Sequence, residues 1–301
     1  KRTLSLALEA IMLVGMMVVS ASAASYNNLT DKDEIVNKDA VSMLVSLGII
    51  EGKPDGSYAP TENVDRAQMA KMLSVIMNKG VDNSALYQSV NSGLVDVNTN
   101  WAKGHINYCY TTGIIAGRGN GKFDPSATVT ALEAAKMLLV AVGYDPKIEG
   151  FEGADWAINV SVRADEQGIF EGFTKDLSAP LNRDDAALLI YNALDVEMIQ
   201  SYTTNNYPIV YSDHRTILSD KYGVIKVQGV VVANEWASLA SDDGDAALKE
   251  GKTTIYNGEG IFSTTGNTTV SKEDASLKTQ TFNVSTPVDM LGKTVNLYIK
   301  K

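Results

Sequence analysis

The segment "GIIEGKPDGSYAP" (48–60) decides the fold of this chain, because the chain contains it three times. The second copy is "GIIAGRGNGKFDP" (113–125), and the third is "GIFEGFTKDLSAP" (168–180). In each copy, Gly-Ile-(Ile/Phe)-x-Gly is followed by a proline eight residues after the second glycine. Repetition of this kind is the signature of a single supersecondary unit used several times. The sequence therefore predicts three copies of one such unit.

Each copy predicts a helix, a tight turn and a second helix. A broad apolar stripe in residues 40–47 precedes Gly48, which fits the left-handed residue that ends a helix. Asp55-Gly56 is a tight-turn dipeptide. The second helices are expected to begin at an N-cap whose partner lies three residues later. These pairs are Asp65/Gln68, Thr130/Glu133 and Asn182/Asp185.

The predicted fold class is mainly α, followed by a β-rich module. One helix pair of about 50 residues buries too little surface to fold alone, so three pairs should pack into one domain. After residue 201 the composition changes, and four segments rich in β-branched residues favour strands. These segments are 223–234, 252–257, 280–285 and 293–301. The predicted boundaries are a signal peptide at 1–23, repeats at 24–80, 81–145 and 146–201, and a β-rich module at 202–301, expected to be truncated.

The first 23 residues are typical of a secretory signal peptide. Lys1 and Arg2 precede an apolar core, and Ala21-Ser22-Ala23 supplies small residues at the cleavage site. A buried or membrane-spanning helix is the alternative, although the stretch is short for a span and contains Glu9. We expect an exported protein without a membrane span after cleavage.

Composition excludes several classes of partner and site. The formal net charge of −10 argues against nucleic acid, so an anionic ligand would need a local basic pocket. The single cysteine, Cys109, allows neither an intramolecular disulfide nor a cysteine-based zinc site. "SDDGD" (241–245) lacks the alternating acids of a calcium loop, which favours a solvated turn. No metal and no cofactor are expected.

The histidines do not form a predicted catalytic site. His105 and Cys109 share one helix face, but no third group orients them. His105 is expected to be a satisfied surface or boundary residue. We find no phosphate loop, metal-ligand cluster or nucleophile elbow in the sequence. The chain is predicted not to be an enzyme.

These motifs resemble the S-layer homology domain. That family combines an aromatic-x-Asp start, Trp-Ala, Gly-Ile-Ile-x-Gly, an Asp-Gly-x-Phe-x-Pro turn and a Thr-Arg-Ala-Glu second helix, and the resemblance covers about 175 residues. It implies three tandem repeats in a pseudo-threefold spindle. It also implies non-covalent binding to secondary cell-wall polysaccharide, often a pyruvylated anion. The protein would then be a secreted, structural protein of a bacterial cell wall or S-layer, able to assemble into a surface lattice.

The resemblance also implies the residues that bind polysaccharide. The arginine of the second-helix motif is present twice, the tryptophan twice and the aspartate twice, whereas the second repeat has Ala131 instead of arginine and the third has Ser178 instead of the turn aromatic. At most two anion sites are therefore expected. The predicted site residues are Arg66, Arg183, Trp101, Trp156, Asp31 and Asp96.

Other interpretations of these residues stay open at this point. Arg66 at a helix N-terminus fits an anion site, but it also fits a surface ion pair. The tryptophans fit core positions, and the aspartates fit N-caps. Arg118 is a candidate to replace the arginine missing at Ala131. We expect Arg66→Ala and Arg183→Ala to weaken binding with little effect on thermal stability.

Two other functions remain alternatives. The anchor would carry a surface enzyme whose catalytic domain lies beyond residue 301, or the repeats would form an interaction scaffold that binds no glycan. The lack of a catalytic constellation and the β-rich segment after residue 202 favour the structural role.

Overall fold

A computed structural model describes residues 12–14, 25–239, 247–257 and 279–300. It divides into a helical unit, Val19–Tyr222, and a β unit that combines Lys1–Val18 with Gly223–Lys301. Apart from strand β1, Met12–Val14, the predicted signal peptide lies outside the described residues, as does the "SDDGD" segment. None of the helices in the described part of the chain combines the length and the apolar character needed to cross a membrane.

The helical unit contains three helix pairs, which we call lobes one, two and three. Two short antiparallel strands and one further helix follow the lobes, so this unit extends beyond residue 202. The helices are α1 (Lys38–Ser46), α2 (Arg66–Met77), α3 (Lys103–Thr111), α4 (Ala131–Val142), α5 (Trp156–Glu166), α6 (Arg183–Ala193) and α7 (Ile217–Tyr222), and the strands are β2 (Ile199–Tyr202) and β3 (Pro208–Val210).

The local signals read from the sequence are confirmed. Gly48, Gly113 and Gly168 follow the first helices with φ between 70° and 79°, the left-handed region that glycine adopts freely. Helices α2 and α4 begin with complete capping boxes, and Asn182 caps α6 by accepting a hydrogen bond from the Asp185 N–H.

The three lobes meet in a closed ring of backbone hydrogen bonds. The Val64 N–H donates to the Leu181 carbonyl, Leu181 N–H to Val129, and Val129 N–H to Val64, at 2.8, 2.8 and 2.9 Å. All three residues are buried. Each lies two positions before the first residue of the second helix of its lobe, so the ring brings the three helix starts together around a common centre.

Neighbouring lobes also pack through their helices in a cyclic order. The second helix of one lobe packs against the first helix of the next, which gives the junctions α2/α3, α4/α5 and α6/α1. We call these junctions A, B and C. Buried apolar residues such as Leu73, Ile106 and Leu138 fill the helical core, which explains why single pairs are not expected to fold alone.

The β unit is a five-stranded sheet with the order β1-β7-β4-β5-β6, in which β1 pairs parallel to β7 and the other pairs are antiparallel. A core of Val231, Ile255, Met290, Val295 and Leu297 packs on it. The four predicted strands are confirmed as β4 (Val224–Asn234), β5 (Thr253–Tyr256), β6 (Thr279–Phe282) and β7 (Thr294–Lys300).

The predicted helical repeats and the β-rich C-terminal part are both present in the described residues, but the term "mainly α" does not fit the chain as a whole. The helices of the lobes are short and joined by long irregular loops, and the C-terminal part is β-rich. The β-branched composition of that part, which packs well on a pleated surface, accounts for the difference.

Candidate functional site

Two grooves open at junctions A and B. Their volumes are about 480 and 500 Å³, the size range of small-ligand pockets. Groove A is lined by Ile49–Pro54, Gln68, Lys71, Met72, Trp101 and Arg183. Groove B is lined by Ile114, Ala116–Arg118, Glu133, Lys136, Met137, Phe151–Gly153, Trp156 and Arg66.

The two grooves are built in the same way. One lobe supplies the loop after Gly-Ile-Ile-x-Gly and the start of its second helix. The next lobe supplies a tryptophan, and the remaining lobe supplies an arginine. The structure therefore brings Arg183 together with Trp101 in groove A, and Arg66 together with Trp156 in groove B.

Arg66 is buried and its guanidinium binds backbone carbonyls of lobe two. Its Nε donates to the Phe123 carbonyl at 2.8 Å and one terminal nitrogen donates to the Ala116 carbonyl at 2.9 Å, while the guanidinium lies 4.4 Å from the centre of the Phe123 ring. Burial, reinforced by the nearby charge of Arg118, lowers the pKa of Arg66 to about 10, so the side chain remains a cation at neutral pH. Two of its five N–H donors are used by these carbonyls.

Arg183 repeats this arrangement in groove A. Its Nε donates to the Tyr58 carbonyl at 2.7 Å, a terminal nitrogen donates to the Glu51 carbonyl at 3.2 Å, and its guanidinium lies 4.7 Å from the centre of the Tyr58 ring. Within the described ranges neither arginine forms an ion pair with a carboxylate. The surface ion-pair interpretation is therefore wrong, and both arginines connect lobes as well as lining grooves.

Asp31 and Asp96 do not line either groove. The Asp31 carboxylate accepts the N–H groups of Tyr58 and Ala59, both at 2.7 Å. Asp96 accepts those of Phe123 and Asp124 at 2.9 and 2.8 Å. Burial raises the pKa of Asp96, but these two backbone donors outweigh it and hold the pKa below its ordinary value.

The role of these aspartates is to fix the turn whose carbonyl receives the arginine Nε. Neither carboxylate caps a helix with its side chain, so the N-cap interpretation is wrong as well. Direct contact of Asp31 and Asp96 with a ligand is not favoured by the geometry, because both oxygens of each carboxylate already accept backbone donors.

The tryptophans are not plain core residues. Trp101 is 58% exposed in groove A, with its ring edge against His105 at a centroid distance of 6.4 Å. Trp156 is half-buried in groove B, and the Lys136 Nζ lies 5.6 Å from its ring centre. An exposed indole beside a cation offers an apolar face and a positive charge to the same ligand.

Sequence reasoning missed most of the positive charge in the grooves. Lys53 and Lys71 line groove A, and Arg118 and Lys136 line groove B at the equivalent positions. Burial lowers the pKa of Lys136. The available signal was the lysine five residues after each second-helix start, which the third repeat replaces with Leu188.

Arg118 does not replace the missing arginine at Ala131. It lies in groove B, where Arg66 is already present, and pairs with Glu133 at 2.9 Å. Ala131 is fully buried at the start of α4, and the neighbouring Leu132 N–H donates to the Leu177 carbonyl of lobe three. The replaced arginine therefore belongs to junction C, not to groove B.

Junction C differs from the other two at every equivalent position that carries ligand chemistry. The arginine is Ala131, the tryptophan is Val36, the turn aromatic is Ser178, and the two groove cations are Phe173 and Leu188. Val36 is 83% exposed. Nearby, the Asp184 carboxylate accepts the N–H and the side-chain amide of Asn37.

His105 and Ser74 form a buried contact between α2 and α3, and the largely exposed Asp82 lies beside His105. The Ser74 Oγ lies 2.6 Å from His105 Nδ1, and the Asp82 carboxylate lies 3.6 Å from Nε2. Both Ser74 and His105 are 4% exposed, so the hydroxyl is closed to a substrate. Cys109 is fully buried, which raises the pKa of its thiol and removes the reactive thiolate. His105 is thus a core residue rather than a surface residue.

Comparison with known families gives a match for two of the lobes. Residues 28–70 and 95–135 match the S-layer homology domain. The matched residues include Arg66, Trp101, Asp31 and Asp96, and they lie in lobes one and two.

Similar proteins include cell-surface and S-layer proteins as well as an exoglucanase. A cell surface protein of Thermoanaerobacter kivui is 28% identical over 85% of this chain and 32% of its own length. An S-layer protein of Bacillus licheniformis is 31% identical over 50% of this chain and 16% of its own. The exoglucanase XynX of Acetivibrio thermocellus is 27% identical over 59% of this chain and 17% of its own.

The chain spans a third or less of the length of these relatives. The matched repeats and the surface-protein relatives agree with the localisation expected from the sequence. They support a bacterial cell-wall surface protein in which two segments match the S-layer homology domain.

Proposed function

We propose that the helical unit anchors the protein by binding anionic secondary cell-wall polysaccharide, with ketal-linked pyruvate as the anion. The ligand sites are grooves A and B. The observation that supports this proposal is that a tryptophan from one lobe and cations from the two other lobes line the same groove, and that this happens twice.

The chemistry of the grooves suits such a ligand. The carbonyl bonds fix the guanidinium of Arg66 or Arg183 and leave further N–H donors for a carboxylate. The indole face of Trp101 or Trp156 covers the apolar face of a sugar ring. Lys71 and Lys136 add positive charge on a flexible stem. Asp31 and Asp96 act indirectly: they bind the backbone N–H groups of the turns whose carbonyls accept the arginine Nε.

Lobe three is proposed to be a third S-layer homology repeat. In its favour are its place in the backbone ring and the arrangement of Arg183 that repeats Arg66. Lobe three has Phe151 in place of the aspartate that holds the turn, and Ser178 in place of the turn aromatic, so we propose two ligand sites rather than three. The repeat boundaries at 24–80, 81–145 and 146–201 belong to the same proposal.

Two wider roles follow from the relatives. The S-layer proteins among them favour a structural protein that self-assembles into a surface lattice, which electron microscopy of the purified protein would reveal. The exoglucanase favours an anchor that carries a surface enzyme whose catalytic domain lies beyond residue 301. Sequencing the complete gene distinguishes the two roles, because a glycosidase domain is recognisable from its sequence.

Sedimentation with purified cell walls tests the anchor. The chain is expected to pellet with the walls and to be released by pyruvylated polysaccharide fragments. The double variant Trp101→Ala/Trp156→Ala should remain in the supernatant, whereas Val36→Ala, the equivalent change at junction C, should pellet normally. Equal sedimentation with walls stripped of the polysaccharide would contradict the proposal.

A further inference from the structure

Grooves A and B differ at the third residue of the helix that borders them. This position is Gln68 in α2 and Glu133 in α4, and both side chains line their groove. Each completes a capping box: Gln68 Oε1 accepts the Asp65 N–H at 3.0 Å, and Glu133 Oε2 accepts the Thr130 N–H at 3.1 Å. The cap therefore works with either residue.

Gln68 and Glu133 differ in the interactions of their second terminal atom, the one that does not complete the capping box. Glu133 Oε1 forms an ion pair with a terminal nitrogen of Arg118 at 2.9 Å, so this carboxylate partly neutralises one of the groove cations. The amide nitrogen of Gln68 has no hydrogen-bond partner among the described residues, and it remains available to a ligand.

The cation of groove A that is equivalent to Arg118 pairs with a carboxylate outside the groove. Lys53 takes the place of Arg118, and its ion-pair partner Glu62 does not line the groove. Groove A thus presents three cations and a single carboxylate, Glu51, which lies 3.9 Å from Lys71. Groove B presents three cations and two carboxylates, Glu133 and Glu152, and its Glu133 lies closer to a cation, 2.9 Å from Arg118.

A carboxylate a few ångströms from a bound anion repels it, and it also competes for the cation that the anion would contact. We infer that the third residue of the second helix, which completes the capping box, sets the affinity of each groove for an anionic ligand. Gln68 makes groove A the tighter site, whereas Glu133 weakens binding in groove B because it pairs with Arg118 and repels the anion. This inference rests on the proposed function, because it names the residue that tunes the same sites.

Variants with one working groove test the inference. Trp156→Ala leaves groove A, and Trp101→Ala leaves groove B. Glu133→Gln is added to the second and Gln68→Glu to the first, so that each lobe receives the capping residue that the other lobe already uses. Unfolding midpoints should match those of the parents, which checks that the capping boxes persist.

Calorimetric titration with purified pyruvylated wall polysaccharide gives the readout. Glu133→Gln should tighten binding in groove B about three- to tenfold, and Gln68→Glu should weaken binding in groove A by a similar factor. Both effects should shrink at high salt, because exposed charges are screened. With polysaccharide from which the pyruvate has been removed, both should disappear.

Glu166→Gln is the matched control. Glu166 pairs with Arg163, outside both grooves, and its substitution changes the net charge by the same amount. If Glu166→Gln gives the same gain as Glu133→Gln, or if the two exchanges leave affinity unchanged while both parents bind, the inference is wrong and the proposed function stands. If neither parent binds the polysaccharide, the proposed function is wrong and the inference falls with it.

Discussion

Junctions A and B keep a set of residues that junction C has lost completely. At A the set is Arg183, Tyr58 and Asp31, and at B it is Arg66, Phe123 and Asp96; at C the equivalent residues are Ala131, Ser178 and Phe151. In the first two sets the aspartate holds the turn, the turn carbonyl accepts from the arginine, and the arginine stacks on the ring. The three residues act as one structural unit.

The comparison also separates structure from ligand chemistry. The lobe interface at C forms without the arginine unit, since α6 packs against α1 and the Val64 N–H donates to the Leu181 carbonyl there. The arginine unit does not include Trp101 or Trp156. It also does not include the two additional cations of each groove, which are Lys53 and Lys71 in A and Arg118 and Lys136 in B. Junction C nevertheless has none of these residues at the equivalent positions. Trp101 is largely exposed and its ring contact, with His105, lies within its own lobe, so a ligand explains its presence better than a lobe contact does. The joint loss of the tryptophan and the two additional cations therefore argues that C is not a binding site.

The largest expected effect is that of Arg66→Ala. The substitution removes a buried cation and leaves the carbonyls of Phe123 and Ala116 without their donors, which should lower the free energy of unfolding by about 2–4 kcal/mol. The expectation of an almost unchanged stability is therefore not supported by the geometry. Arg183→Ala should cost less, because Arg183 is only half-buried. Urea denaturation measures both.

Arg66→Lys sharpens this prediction. It keeps the charge but loses the planar fork that reaches two carbonyls, so most of the stability loss should remain. A variant as stable as the parent would show that the carbonyl contacts contribute little, and that the arginine is retained for the ligand alone.

Asp96→Asn should have the next largest effect. An amide oxygen can keep one of the two backbone N–H groups that the carboxylate accepts, so unfolding should become easier by about 1 kcal/mol. Since the Phe123 turn would also hold Arg66 less firmly, polysaccharide binding in groove B should weaken more than in groove A. Denaturation and one-groove titrations measure the two effects.

Asp155→Asn serves as the control, because Asp155 precedes α5 without a side-chain cap. Equal weakening in both grooves, or the same stability loss in the control, would contradict a positioning role for Asp96.

These predictions show what the sequence could and could not provide. Helix ends, caps and strands depend on neighbouring residues, and for this reason Gly48, Asp65 and Thr130 were interpreted correctly. The grooves depend on contacts such as Arg66 with Phe123, 57 residues apart. A repeat pattern gives equivalent positions but not which lobes become neighbours. The sequence therefore predicted the arginine and tryptophan positions but not their pairing, and it could not show that the aspartates face backbone donors.

A smaller effect is expected at junction A when the pH falls below neutrality. Burial lowers the pKa of His105, opposed by Asp82 and reinforced by Lys71. The unfolded chain then binds more protons than the folded one below the ordinary histidine pKa of about 6.5, so stability should fall as pH drops through that value. The slope cannot exceed about 1.4 kcal/mol per pH unit for one group.

His105→Val should remove this part of the pH dependence. Valine is the residue at the equivalent buried position of α5, Val160, and Ser74 keeps its hydrogen bond to the Lys71 carbonyl. Unfolding curves at pH 7.5 and 5.5 provide the measurement. An unchanged slope in the variant would assign the dependence to the carboxylates instead.

The smallest effect is expected from restoring the tryptophan at junction C. Val36→Trp places an indole at an exposed position, so stability should change by less than about 0.5 kcal/mol. Binding should not increase, because Ala131, Phe173 and Leu188 leave this junction without the cations that the other grooves supply. Titration of the Trp101→Ala/Trp156→Ala/Val36→Trp variant isolates the new indole. Measurable binding there would mean that the tryptophan alone makes a site, and the distinction between junction C and the two grooves would then rest on that residue instead of on the cations.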